Sequence, residues 1–167
     1  MIFAVGDVHG CGDELGALLS AIAETSAEID HKKRLVFLGD VIDRGPGNIA
    51  ALKLWAEPTG NWGVDKIDRL MGNHEQLLLL AMANSPHSQK AEVMWLSEAI
   101  GGGALLGEMQ AAAAGIQVHS YAALFREALG DRVFDLFKRM ASHVEVGNAI
   151  FVHGGLDPNE DVAEFLS

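Results

Sequence analysis

"RLVFLGDVIDRG", residues 34–45, decides the fold. An apolar run, Leu35 to Leu38, stops abruptly at Gly39-Asp40 and opens into a charged turn through Asp43, Arg44 and Gly45. The run has the β-branched and aromatic bias of a buried strand, and its end delivers polar side chains into a loop. The layout recurs three times. "IFAV" (2–5) leads into Gly6-Asp7, "DRLM" (68–71) into Gly72-Asn73, and "AIFV" (149–152) into His153-Gly154. The run at 68–71 is the weakest, because charges interrupt "KIDRLM". This is the pattern of strands whose carboxyl ends carry functional loops at one sheet edge.

Helical stretches lie between the runs. Residues 13–25 place Leu15, Leu18, Leu19 and Ile22 three and four apart, an apolar stripe with Asp13 as its expected N-cap. Residues 48–56 and 75–84 read as helices too, and 90–142 is largely helical in composition. "GGG" at 101–103 and Gly115 break that segment, and a fresh helix follows Gly130. Strand and helix alternate, so the fold class is α/β.

The 167 residues, 49% hydrophobic and 21% charged, fit a single domain, 1–167, with a sizeable core. A net charge of -11, from 23 acidic against 12 basic residues, carries no phosphate-backbone footprint, so nucleic acid is not an expected partner. The start has no basic leader and only a short apolar run, and no segment has eighteen consecutive apolar residues. One cysteine, Cys11, forms no internal disulfide. The expectation is a protein of the reducing cytoplasm with no membrane partner.

Alone, "GDVHG" (6–10) or "HGG" (153–155) reads as an ordinary turn, and Asp43 or Asn73 as a helix cap. As a set they differ. Asp7, His9, Asp40, Asn73 and His153 all follow strand-like runs and together offer two carboxylates, two imidazoles and an amide oxygen. That N/O mixture suits Mn, Fe or Zn, and the lack of a well-placed thiol argues against a thiolate Zn site. Cys11, close to His9, reads as packing. His31, His87, His119 and His143 lie outside any strand-to-loop setting and read as surface or core residues.

GDxHG at 6–10, GDxxDRG at 39–45, GNHE at 72–75 and HGG at 153–155 occur in one order. In this the chain resembles the phosphoprotein-phosphatase branch of the calcineurin-like metallophosphoesterases. The resemblance implies a β-sandwich flanked by helices, with the helical segment 75–142 capping the site. It implies two divalent metals, manganese first and iron or zinc next. Asp7 and His9 would hold one, Asn73 and His153 the other, and Asp40 would bridge them. A hydroxide between two such metals, about 3.5–4 Å apart, would attack phosphorus directly. His74 would protonate the leaving group, Asp43 would orient that imidazole, and Arg44 would clamp phosphate oxygens. Arg44, Asn73 and His74 would all face the substrate. Glu75 would orient the loop or a ligand histidine from behind.

The family pattern also asks for a further histidine and a second arginine downstream. No histidine follows His153 and no arginine follows Arg139. The expectation is therefore a fragment lacking C-terminal strands, holding its second metal weakly. Asp43 in DRG and Glu75 in GNHE resemble the protein-phosphatase branch, and that resemblance implies a Ser/Thr, or dual-specificity, protein phosphatase acting on a phosphoprotein or small phosphoester. The alternatives are a symmetrical dinucleoside tetraphosphate hydrolase and, from another class, an inactive remnant or binding module.

Overall fold

The computed structural model describes residues 1–157, 159, 161 and 162. The other residues of the expected 1–167 domain lie outside the described set. Strands β1 (Ile2–Val5), β2 (Arg34–Phe37) and β3 (Lys66–Arg69) form a parallel sheet in the order β1-β2-β3. In register, Val5 pairs with Phe37 and Phe37 with Arg69, so all three strands end at one level. Their loops therefore leave from one edge, and those loops carry the motifs.

Helix α1 (Gly12–Ala27) crosses from β1 to β2, and α2 (Asn48–Trp55) with a 3₁₀ turn (Thr59–Trp62) crosses from β2 to β3. Then come α3 (Asn73–Met82), α4 (Ser88–Trp95), α5 (Gly103–Ala112), α6 (Tyr121–Leu129) and α7 (Asp131–Lys138). They end at an antiparallel hairpin, β4 (His143–Val146) and β5 (Ala149–Val152). The architecture is α/β, as the sequence predicts.

Leu15, Leu19 and Ile22 of α1 join the core with Leu35 and Phe37, and Trp55, Phe125 and Phe137 extend it beneath the later helices. Trp55 meets Phe137 edge-on at 6.5 Å between ring centroids.

Several expectations shift. Leu18 is 46% exposed, so the buried stripe of α1 is narrower than the leucine spacing suggests. Asp13 is not the N-cap. The turn from Cys11 N–H to Val8 C=O brings the helix in earlier, with Cys11 at the cap position and Asp13 in the first turn. There its charge still complements the helix dipole. The strand expected at 68–71 spans Lys66–Arg69, and Leu70 only bridges to Ala141. The run at 149–152 forms a strand outside the parallel sheet. It pairs with β4, a strand that charge and shortness hid, since "HVEV" alternates a histidine and a glutamate with valines. The glycine break separates α4 from α5, with Gly103 already inside the helix. Among the described residues no helix is long and apolar enough to cross a membrane.

Candidate metal centre

The site is built on backbone that most residues avoid. Among the described residues, four non-glycine residues have positive φ: His9 at 45°, Asp40 at 51°, Asp43 at 74° and Arg44 at 64°. All four belong to the sequence motifs. Strain of this kind persists only where surroundings over-determine it. Two glycines make the packing possible. A Cβ at Gly45 would strike the His9 carbonyl, and one at Gly72 would strike Asp40.

Glu75 supplies much of the restraint. It is fully buried at the start of α3. Its Oε2 accepts from the N–H groups of Asp40 (2.7 Å) and Gly72 (2.9 Å), and its Oε1 from those of Val41 (2.8 Å) and Ile42 (3.3 Å). One carboxylate thus ties the β2 loop to the β3 loop. Of the two tasks foreseen for Glu75, loop placement matches these contacts, and among the described residues no histidine hydrogen-bonds to it. Burial pushes its carboxyl up from the ordinary range against the pull of those donors, and the charge of Asp40 adds to the rise.

The Asp40 carboxylate, 4% exposed, is the centre. Its Oδ2 lies 3.8 Å from His9 Nε2, 3.3 Å from His153 Nε2 and 3.8 Å from His74 Nε2. Asp7, largely exposed, reaches His9 Nε2 at 3.9 Å and His153 Nδ1 at 4.0 Å. Asn73 Oδ1 stands 3.2 Å from His153 Nε2. Asp7, His9, Asp40, Asn73 and His153, from four separate loops, are therefore brought together.

Tautomers show what this cluster is fit for. His9 Nδ1 lies 3.0 Å from the Ile42 carbonyl and His153 Nδ1 lies 3.0 Å from the Leu38 carbonyl. A carbonyl only accepts, so each Nδ1 donates there, and each ring turns its other nitrogen, Nε2, toward Asp40. At His153 the Nε2 faces two oxygens, Asp40 Oδ2 and Asn73 Oδ1, a grouping of one nitrogen and two oxygens that a cation could fill. Asp7, Asp40 and His153 converge within 4.8 Å, as do His9, Asp40 and His74. The donors fit divalent metals preferring mixed N/O ligands. Cys11 is exposed and takes no part.

His74 differs from the other two. It is 1% exposed, and its Nδ1 donates to Asp43 Oδ2 at 2.9 Å. Burial opposes its charge, but the Asp43 hydrogen bond and the charges of Asp40 and Asp43 outweigh that, so its pKa is raised. The protonated ring therefore stabilises the fold fully below the ordinary histidine value of about 6.5 and loses this as pH rises through the raised value. An NMR titration of the metal-free chain is expected to show His74 titrating above about 6.5 and moving down in Asp43→Asn. A wild-type midpoint at or below that value would contradict the pairing.

Arg44 donates from Nη1 to His9 Nε2 at 2.8 Å, the same lone pair that a cation would take. His31, His87 and His119 are exposed and His143 is half-buried on β4, all outside the cluster.

Three residues that the motifs did not reveal hold the Asp43–Arg44 turn. Asn48 Oδ1 accepts the Asp43 N–H at 2.6 Å, and its amide donates to the Gly45 carbonyl at 2.7 Å. Glu108 of α5 accepts from the Asn48 N–H and side-chain amide, both 2.8 Å, and from the Ile49 N–H at 2.9 Å. Trp95 of α4 donates to the Asp43 carboxylate. For Glu108 the available signal was a lone acidic residue in the mostly apolar "GALLGEMQAA".

The chain aligns with proteins named symmetrical bis(5'-nucleosyl)-tetraphosphatase. It is 37% identical to that of Klebsiella pneumoniae over 82 residues, 48% of this chain and 26% of the relative. With that of Cronobacter sakazakii it is 36% identical over 98 residues, 58% of this chain and 31% of the relative. With that of Psychromonas ingrahamii it is 39% identical over 88 residues, 53% and 28%. The alignments thus span less than a third of each relative. A sequence profile described as "Calcineurin-like phosphoesterase" matches residues 1–165, nearly the whole chain and every motif at the cluster. The chain belongs to the calcineurin-like phosphoesterase family.

Proposed function

We propose that this chain hydrolyses phosphorus–oxygen bonds at a dinuclear metal centre, and that a dinucleoside tetraphosphate, cut symmetrically, is its leading substrate. The observation that carries the reaction is the Asp40 carboxylate, with three imidazoles converging on one of its oxygens and Asp7 and Asn73 at the rim. The names of the relatives support the substrate, and they support it better than the protein-phosphatase expectation.

Asp7 and His9 would hold one cation, Asn73 and His153 the other, and Asp40 would serve both. Divalent ions there supply Lewis acidity, lowering the pKa of water and offsetting phosphate charge. The chain does the rest. Asn73, being neutral, leaves more positive charge for an anionic substrate than a third carboxylate would. Arg44 is exposed beside His9, and because a cation and the guanidinium cannot share one lone pair, Arg44 is then free to bind phosphate oxygens. His74 would hold a proton on Nε2, the ring nitrogen turned away from Asp43 and toward Asp40, for the leaving oxygen.

A protein phosphatase is the second reading, and the buried Asp43–His74 pair favours it. A serine alkoxide is a poor leaving group and needs a proton, whereas a nucleoside diphosphate leaves readily. The test compares manganese-loaded chain on diadenosine tetraphosphate and on a phosphoserine peptide. The first reading expects faster turnover of the dinucleotide with ADP as the sole nucleotide product. Turnover of the peptide alone would replace it with the second. His74→Asn is expected to cut kcat on the peptide by roughly 10²- to 10⁴-fold and on the dinucleotide by less. Unchanged kcat on both would remove His74 from the chemistry.

A further inference from the structure

Asp43 is completely buried, and a buried carboxylate needs donors. His74 takes one side of it. The other side is met from α4. The Trp95 indole Nε1–H stands 3.1 Å from both Asp43 oxygens, a forked hydrogen bond across 52 residues of chain. Trp95 is itself fully buried. Gly102 lies against its indole with no room for a Cβ, and Tyr121 packs edge-on at 5.5 Å. Tyr121 is in turn anchored by donating to Glu92 at 2.6 Å. The indole is thus fixed from two sides, while the Asp43 backbone that it faces is strained. Burial alone does not explain the contact. Among the described residues the buried indole N–H groups of Trp55 and Trp62 have no protein partner.

We propose that Trp95 is a positioning residue: its forked N–H bond fixes the plane of the Asp43 carboxylate and so aims the His74 imidazole at the Asp40 cluster. The inference rests on the reading of Asp43–His74 as acid–base machinery. It gives α4 a task at the site. The Gly101 carbonyl, which accepts the Arg44 N–H at 3.2 Å, belongs to the same grip.

The test is a double-mutant cycle on the metal-loaded chain, assayed with diadenosine tetraphosphate and with a phosphoserine peptide. Trp95→Phe is expected to lower kcat by roughly ten- to a hundredfold with KM unchanged. In an Asp43→Asn background the same change should cost less than about twofold, because coupled residues are not additive. Equal losses in both backgrounds would overturn the proposal, since a packing role does not depend on the carboxylate. Trp95→3-benzothienylalanine keeps the ring shape and lacks the N–H. It is expected to reproduce the loss, and full activity would overturn the proposal.

A readout without turnover is the indole signal of Trp95 in ¹⁵N-tryptophan-labelled, metal-free chain. It should shift on Asp43→Asn, and an unmoved signal would overturn the contact. If the signal moves but Asp43→Asn keeps full kcat, the acid–base reading of the pair falls and the proposal falls with it.

Discussion

Asp40→Asn is expected to lower metal-dependent turnover by roughly 10³-fold or more, the several kcal/mol that a metal centre supplies. Asparagine keeps the shape of the side chain and tolerates the positive φ of 51° found there. The fold should therefore survive, and a thermal melt would verify it. What changes is charge. The carboxylate Oδ2 faces three imidazoles, and both metal-competent groups share Asp40. A neutral amide offers one oxygen where the carboxylate offers two, and it no longer offsets the mutual repulsion of two divalent ions. Oδ1 already accepts the His74 N–H at 3.1 Å, so the amide has little freedom to re-aim. Manganese titration calorimetry on both proteins checks this: weakened binding and lost turnover are expected. Wild-type affinity with more than about a tenth of wild-type kcat would contradict the role given to Asp40.

Glu75→Ala acts through the scaffold and is expected to be the most destabilising single change at the site. It would strand the buried N–H groups of Asp40, Val41, Ile42 and Gly72 together. Each orphaned donor costs about 1–3 kcal/mol, and shared relaxation brings the total to roughly 3–5 kcal/mol. For a chain of this size that lowers Tm by about 10 °C. Glu75→Gln should lie between, because its amide N cannot accept from the donors that it would face. Metal affinity should fall in step with stability, since the same bonds hold Asp40 in its strained conformation. A Glu75→Ala protein with unchanged Tm would show that the loops are held by something else.

The candidate cluster was legible because it is local. Asp7 with His9, Asp40, Asn73 and His153 each follow directly on an apolar run, and three of those runs end at one level of one sheet. The fourth reaches the same place from a separate hairpin, which no local pattern could indicate, since β4 alternates weakly and pairs only with β5. The supporting layer was illegible for a related reason. Trp95 and Glu108 meet Asp43 and Asn48 across 52 and 60 residues, and the helical composition of their segment says nothing of such distant partners. Asp13 and Leu18 went astray because side-chain identity predicts a cap or a stripe only after the chain entering the helix has been placed. The packing of α3–α7 was illegible as well, because there the sequence offers composition rather than geometry.

The most direct test of the account is a crystal structure of the manganese-loaded chain with anomalous scattering recorded. The account expects two manganese peaks flanking the Asp40 carboxylate, one beside Asp7 and His9, the other beside Asn73 and His153. His74 would remain paired with Asp43 and coordinate neither. No anomalous peak within reach of Asp40, at manganese concentrations that support turnover, would contradict it.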